Sequence, residues 1–221
     1  MSNQEKWLNN TVLLIAFLVL PMLVGCSQGM ALKPGATSLD THTKSVAFFT
    51  LVVKNDFKPD YGAAPCFMWV KSSKSETVQF QLEGDWQGNG APMLFYWMDT
   101  SEFPVSLGLE PGKYTIGLVR GGGSNIALTW GFGFPLNTEF DLPPNSVVYL
   151  GHVVMTNRER EGDEERSGSM IPLIDQSLSG YSGGTMDISV TDQSSEDIPK
   201  FVAKYPCLKG LTIKTAIMTK K

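Results

Sequence analysis

The feature that most constrains this chain is a two-residue hydrophobic period that begins at Ser45 and recurs almost to the C-terminus. Such alternation turns one face of a strand towards a core and leaves the other face in water. About ten strands can be recognised by this pattern. The clearest occupy residues 77–82, 114–118, 126–134, 186–191 and 211–217, whereas residues 46–53 and 147–155 are apolar on both faces and are predicted to be central strands.

Glycine- and proline-containing segments separate these runs. Pro111-Gly112 has the residues of a type II turn, and the three glycines at 121–123 predict another turn. Only one helix is predicted, starting near Asp197 and ending before Pro206, with an apolar face made of Ile198, Phe201, Val202 and Tyr205. Together these patterns predict a mainly β chain: a single antiparallel β-sandwich of immunoglobulin-like or transthyretin-like type with one short helix near the C-terminus.

Composition excludes several classes of protein. The 221 residues are 42% hydrophobic and carry a net charge of only −4, which is unlike a disordered chain. Lys and Arg form no cluster of the kind that neutralises phosphates, so no nucleic-acid partner is expected. Two His and three Cys leave little material for a transition-metal site, and no metal or other cofactor is predicted.

The N-terminal segment has the pattern of an export signal. Residues 11–25 form an apolar run that is shorter than the roughly 20 residues of a spanning helix and suits the central region of a signal peptide. The tetrad Leu23-Val24-Gly25-Cys26 resembles the lipobox of bacterial lipoproteins. This resemblance implies cleavage before Cys26, a diacylglycerol on its sulfur and an amine acylated with palmitate or a similar chain, which together form a stable membrane anchor.

The residue after the lipobox bears on the membrane in which the protein is anchored. In enteric bacteria this family retains proteins with Asp at that position in the inner membrane, and here the residue is Ser27. The resemblance therefore implies a lipoprotein of the cell envelope that is anchored in the outer membrane and faces the periplasm.

The chain is predicted to have three regions. Residues 1–25 are the signal peptide, residues 26–44 are the lipidated N-terminus and a flexible stalk, and residues 45–221 are the sandwich domain. The stalk is expected because residues 27–44 are mostly small and polar and have no apolar period. His42 lies in this segment and is expected to be solvated.

Three segments of the domain resemble parts of known proteins. Residues 109–115, 147–152 and 197–206 are similar to segments of uncharacterised bacterial envelope lipoproteins that carry carboxypeptidase-regulatory-like sandwiches. This resemblance implies the same transthyretin-like fold. It includes no catalytic motif, and folds of this kind have unrelated activities.

Two cysteines remain once Cys26 is lipidated. Cys66 and Cys207 each follow a proline, and the periplasm permits disulfides. A bridge between them would close a long loop and stabilise the domain by about 4 kcal/mol in the chain-entropy picture. The alternative is two separate buried thiols, and the sequence leaves both open.

No catalytic set is predicted. His152 lies within a strand, where a packed or an edge-facing histidine is expected, and no Ser-His-Asp arrangement can be assigned around it. A pair of carboxylates for glycoside hydrolysis would have to come from loop acids, namely Asp85, Asp99, Glu102 and Asp141. The charged segment 158–166 is predicted to be a solvated, mobile hairpin tip, and it lacks the ligand spacing of a calcium loop.

Among the aromatic residues, Trp86 is the candidate for binding. It lies in the polar segment 84–90, where no apolar row requires it, so it is proposed as an exposed platform for a sugar ring or a protein. Trp69, Trp97 and Trp130 fall on strand rows and are expected in the core.

The sequence favours a non-enzymatic role, as a binding or structural module for an envelope protein or a glycan, held to the membrane by its lipid. The alternative is a periplasmic hydrolase acting on glycan or peptide. A hydrolase requires ionisable side chains that converge in a cleft. A binding module instead exposes an aromatic or apolar patch or an unprotected sheet edge.

Overall fold

The computed structural model describes residues 27–74, 76–82, 102–124, 129–168, 170–171, 176–177 and 180–221. Within them, two sheets of five strands each and one short α-helix confirm the predicted mainly β sandwich. The residues Cys26, Asp85, Trp86, Trp97 and Asp99, for which the sequence made predictions, lie outside the described residues.

The first sheet has both parallel and antiparallel strand pairs. It consists of β1 (Ser45–Asn55), β4 (Glu102–Leu109), β7 (Val147–Glu159), β10 (Gly184–Thr191) and β11 (Ile213–Thr215). Its order is β10-β7-β1-β4, and β11 pairs with β7. The pairs β1–β7 and β11–β7 are parallel, and the others are antiparallel.

The second sheet is antiparallel throughout. It consists of β2 (Ala64–Ser72), β3 (Thr77–Gln81), β5 (Gly112–Ser124), β6 (Thr129–Leu142) and β12 (Thr219–Lys220) in the order β12-β6-β5-β2-β3. The strands β8 (Met170–Ile171) and β9 (Gln176–Ser177) form a separate pair. The helix α1 (Ser194–Lys204) follows β10, and a 3-10 turn (Pro206–Leu208) follows the helix.

The strands β1 and β7 lie side by side at the centre of the first sheet, as their apolar pattern predicted. Phe49 and Leu51 pack into the core between the two sheets, whereas Phe48 and Tyr149 pack on the opposite face. Both faces of this sheet must therefore be covered. The outer face is covered by α1, the 3-10 turn and parts of the terminal segments, and the rings of Phe48 and Phe201 lie 4.5 Å apart there.

The helix begins earlier than the sequence predicted. It starts at Ser194, so Pro199 lies within it and Asp197 is a fully buried helical residue instead of the cap. Gln193 occupies the cap position and makes no capping hydrogen bond through its side chain. Pro199 favours a helix that begins only a few residues before it. Burial of Asp197 against the first sheet explains why the helix begins earlier, at Ser194.

The glycines at 121–123 lie in β5 and not in a turn. Gly121 pairs with Phe132 and Gly123 with Trp130 on the neighbouring strand. A Cβ on Gly123 would lie 2.8 Å from Trp130 Nε1, and one on Gly121 would collide with the Phe132 ring. These glycines therefore make room for large rings within the sandwich, and Trp130 is buried as expected.

The segment predicted as a stalk differs from that expectation at its start. Residues 28–32 pack against the domain: Met30 enters the core between the sheets, and Leu32 is fully buried in the cluster under α1. The apolar residues of this segment are too few to show a period, which is why the sequence did not reveal their burial. His42, further along, is exposed as expected.

We expect Leu32→Ala to lower the free energy of unfolding by about 2–4 kcal/mol, because the substitution leaves a cavity among buried side chains. The matched control is Leu211→Ala, at a leucine that is 41% exposed, and its effect should stay within about 0.5 kcal/mol. Urea denaturation followed by circular dichroism measures both. A freely moving stalk would instead make the two variants equally stable.

Candidate functional site

Two aromatic side chains lie on the outer face of the second sheet. On β2, Met68 and Val70 are buried in the core, and the alternate residues Phe67 and Trp69 point outwards and are partly exposed. The two outward rings lie 6.2 Å apart. The expectation that Trp69 belongs to the core is therefore wrong, because the alternation of β2 assigns it to the opposite face.

A cation lies over the outward tryptophan. The guanidinium carbon of Arg120, on β5, is 5.4 Å from the centroid of the Trp69 ring. On the neighbouring strand β6, Gly133 lies opposite Arg120 in the strand register. A Cβ on Gly133 would lie 3.4 Å from Arg120 Cγ. The missing side chain leaves space for the arginine to lie along the sheet. The ring attracts the cation electrostatically, and the guanidinium stays exposed to bind an external group.

A groove of about 460 Å³ lies at the end of the second sheet where β5 begins. Its charged residues come from β2, β5, β6 and the C-terminal segment, and are Lys71, Lys113, Glu139, Asp141 and Lys221. The rest of the lining consists of the hydroxyl residues Ser72, Ser73, Thr115 and Thr219 and the aromatic residues Tyr114 and Phe140. The groove is therefore polar and offers both donors and acceptors.

The ammonium groups in the groove differ in their partners. Lys221 Nζ lies 3.0 Å from Glu139 Oε1, and Thr115 Oγ1 donates to the same oxygen at 3.3 Å. The hydrogen bond from Lys221, more than any other contact, lowers the pKa of the Glu139 carboxyl. Lys71 and Lys113 have no carboxylate within ion-pair distance among the described residues. Their charges remain available to an anionic group.

We call the outward residues Phe67, Trp69 and Arg120, together with the groove, the open face. It combines aromatic rings, a guanidinium, ammonium groups and hydroxyls. These groups recognise ligands with ring faces and with anionic or hydroxyl substituents.

A second polar cluster lies buried under α1. Tyr149 and His152 are three residues apart on β7, and a bulge, with Gly151 at a φ of +120°, turns both towards the helix. Asp197 Oδ2 accepts a hydrogen bond from Tyr149 Oη at 2.7 Å and lies 3.1 Å from His152 Nδ1. All three residues are buried, as expected for His152.

This cluster fixes the helix to the sheet. Burial, and then the hydrogen bond to Asp197, raise the pKa of Tyr149 far above its ordinary value. The phenol therefore keeps its proton and remains a donor to the carboxylate. Asp197 Oδ1 has no partner among the described residues. The sequence did not reveal this cluster, because the spacing of Tyr149 and His152 places them on one face only when the bulge is present.

Two tyrosines give opposite predictions for the same substitution. Tyr149→Phe should lower the free energy of unfolding by about 1.5–3 kcal/mol, because it removes a hydrogen bond to a buried carboxylate. Tyr181 is also fully buried, but its hydroxyl has no partner among the described residues. Tyr181→Phe should therefore leave stability unchanged or raise it by up to about 1 kcal/mol. Equal losses in chemical denaturation would contradict this account of the cluster.

The structure leaves the two cysteines of the domain unbridged, which is one of the two possibilities that the sequence left open. Cys66 and Cys207 are both free thiols. Cys66 lies on β2 in the second sheet, whereas Cys207 lies in the 3-10 turn on the far side of the first sheet. The thickness of the sandwich separates them, and the structure matches the alternative of two separate thiols. Burial raises the pKa of both thiols.

The described acids of the hydrolase hypothesis do not converge. Glu102 begins β4 and lies 2.8 Å from Lys200 Nζ. The strand then runs to the other end of the sandwich, where Asp141 of β6 lies opposite Lys113 of β5 in the strand register. About 20 Å of strand separates the two carboxylates.

The charged hairpin after β7 is tied together by ion pairs. Arg158 contacts both oxygens of Glu164 at 2.7 and 2.8 Å and Asp187 at 2.9 Å. The hydrogen bonds from Arg158 lower the pKa of Glu164 to about 2. Instead of forming a fully solvated tip, the segment is thus joined to β10. Among the described residues, no group of three or more His, Cys, Asp or Glu is arranged to hold a metal ion.

Comparisons with protein-family models, with curated proteins and with solved structures find no match for this chain. No helix in the described part of the chain has the length and apolar character needed to cross a bilayer. The fold class rests on the structure itself, and the function must be argued from the residues.

Proposed function

We propose that this chain is a lipid-anchored lipoprotein of the bacterial envelope whose sandwich is a non-enzymatic binding module in the periplasm. The lipobox at residues 23–26 supports the anchor, and Ser27 supports the outer membrane. The binding role is inferred from one observation, which is that the outer faces of the two sheets differ in how far they are covered. The outer face of the first sheet is covered by α1 and the terminal segments, whereas the open face of the second sheet keeps Trp69, Arg120 and the lysines of the groove accessible.

The chemistry of the open face indicates the kind of ligand. A tryptophan under a guanidinium, on the same face as Lys71 and Lys113, suits an envelope glycan or a protein segment with acidic groups. Such a ligand would reach from the Trp69 end to the groove along β2 and β5. The loop residue Trp86 stays a prediction as a further contact.

The anchor is tested by mass spectrometry of the protein purified from a bacterial host. We expect the N-terminal peptide of the mature chain to begin at Cys26 and to carry a diacylglycerol and an acyl chain. The variant Cys26→Ser should keep its leader and lose the lipid, and Cys66→Ser should be processed normally. An unmodified Cys26, or an intact leader on the native chain, would contradict the lipoprotein proposal.

The binding role is tested by retention of envelope components on the immobilised, detergent-solubilised protein. Arg120→Glu and Trp69→Ala should each lower retention of acidic glycan or protein at least about tenfold, the loss expected when a charge-assisted contact is removed. Trp86→Ala in the same series tests the loop. The control Lys214→Glu changes the same amount of charge at an exposed residue of the first sheet. Equal retention by Arg120→Glu and Lys214→Glu would contradict a binding role for the open face.

A further inference from the structure

The first described residues join the two sheets at one edge of the sandwich. The Gln28 amide donates to Gln79 O at 2.8 Å, and the Gln81 amide donates to Gln28 O at 2.9 Å. Gln28 thereby extends the second sheet beyond β3. Its side-chain Nε2 donates to Gly108 O of β4 at 2.9 Å, which links it to the first sheet as well.

The residues that follow continue along the first sheet. The Ala31 amide donates to Ser106 O at 3.1 Å, and the Leu32 amide donates to Ser106 Oγ at 2.9 Å. Between these contacts, Met30 closes the core at the open edge of the sandwich. The fold of the domain therefore begins at Gln28, well before the first strand.

This start leaves almost no free chain after the proposed anchor. Cys26 is separated from Gln28 by Ser27 alone, and two residues of fully extended chain reach about 7 Å. A lipid on Cys26 would hold the edge of the sandwich at the level of the headgroups. The domain could not stand off from the bilayer as it would on a stalk.

The direction of the chain selects which end of the sandwich is nearest to the anchor. Gln28 pairs with Phe80 in parallel orientation, so the chain before it runs towards Thr77, the first residue of β3. The connection from β2 to β3 and the start of β5 lie at this end, since Ser73 N donates to Lys113 O. Ser27 is therefore directed towards that end, and Cys26 precedes it in the sequence.

The two ends of the sandwich differ in charge. The end nearest to Ser27 carries four exposed lysines against the acids Glu76, Glu110 and Asp141, and Glu139 is ion-paired there with Lys221. The four lysines are Lys44, Lys71, Lys74 and Lys113. The opposite end carries the hairpin after β7 and the segment after β1. The exposed charged residues of these two segments are the acids Asp56, Asp60, Glu161, Asp163 and Glu165, whereas their basic residues, Lys58, Arg160 and Arg166, and Arg158 at the end of β7 are partly buried. Lysines near a bilayer surface attract anionic headgroups, and acids are repelled by them.

From this geometry we propose that the end of the sandwich bearing Lys44, Lys71, Lys74 and Lys113 lies directly on the surface of a bilayer that contains anionic phospholipid. This inference rests on the proposed lipid at Cys26. The acidic end then points away from the membrane, and the open face stands roughly upright, with its groove near the headgroups and Trp69 further out. A partner of the open face would have to approach close to the membrane.

The test is hydrogen exchange of the native lipidated protein in vesicles containing anionic phospholipid. The comparison is a variant with a flexible Gly/Ser segment of about 20 residues inserted between Ser27 and Gln28. In the native protein, peptides covering residues 71–78 should exchange at least about threefold more slowly than in the variant. The hairpin at residues 158–166 should exchange equally in both, and equal exchange in β1 and β7 shows that both proteins are folded.

A charge variant tests the lysines without changing the tether. Lys74→Glu combined with Lys113→Glu should remove at least half of the protection of residues 71–78 in anionic vesicles. The control is Lys54→Glu, at the opposite end of β1, and it should leave the protection of residues 71–78 unchanged.

Mass spectrometry of the same samples separates the two proposals. If the lipid is present on Cys26 and residues 71–78 are unprotected, or the hairpin is protected instead, the orientation is wrong and the lipoprotein proposal stands. If Cys26 carries no lipid, the lipoprotein proposal fails, and the orientation fails with it.

Discussion

The rest of the structure depends on the central pair of strands in the first sheet, which is apolar on both faces. Burying only one face of β1 and β7 would leave Phe48 and Tyr149 in water. Each large apolar side chain that is buried instead contributes about 1.5–3 kcal/mol. The helix and the segments from both termini meet this requirement by packing on the outer face. The second sheet alternates in the ordinary way, needs no such cover, and keeps its outer face for other contacts.

Covering that face brings a carboxylate into the interior. Asp197 is fully buried, and a buried charge is stable only when hydrogen bonds replace the water that it loses. Tyr149 supplies one such bond, and His152 lies within hydrogen-bonding distance of the same oxygen. A helix held only by apolar side chains could slide along the sheet, whereas one that also aligns a carboxylate with two polar groups has a single favoured position.

The sequence predicted the elements better than it predicted their surroundings. Hydrophobic periodicity is a local property, and it identified most of the strands, the central position of β1 and β7, and the helix, but it did not identify β4. The parallel pairing of these two strands joins residues about a hundred positions apart, so no local pattern contains it. The bulge at Gly151 changes which residues share a face, and it therefore concealed the cluster of Tyr149 and His152.

The candidate site shows the same limit. Phe67, Met68, Trp69 and Val70 form an unbroken apolar run, and such a run does not tell which residues face the core. Contact with Arg120 of the neighbouring strand distinguishes Trp69, and that contact exists only in three dimensions. The burial of Met30 and Leu32 also depends on a distant edge of the sandwich, which a polar N-terminal composition could not indicate.

The pairing of Gln28 with β3 determines how the domain would respond to mechanical tension. A pull on the chain before Ser27 acts along the axis of β3, because the two segments run in the same direction. The two backbone hydrogen bonds of Gln28 are then loaded at the same time, in shear, and do not break one after the other. The domain would resist being torn from whatever holds its N-terminus until this junction yields as a unit.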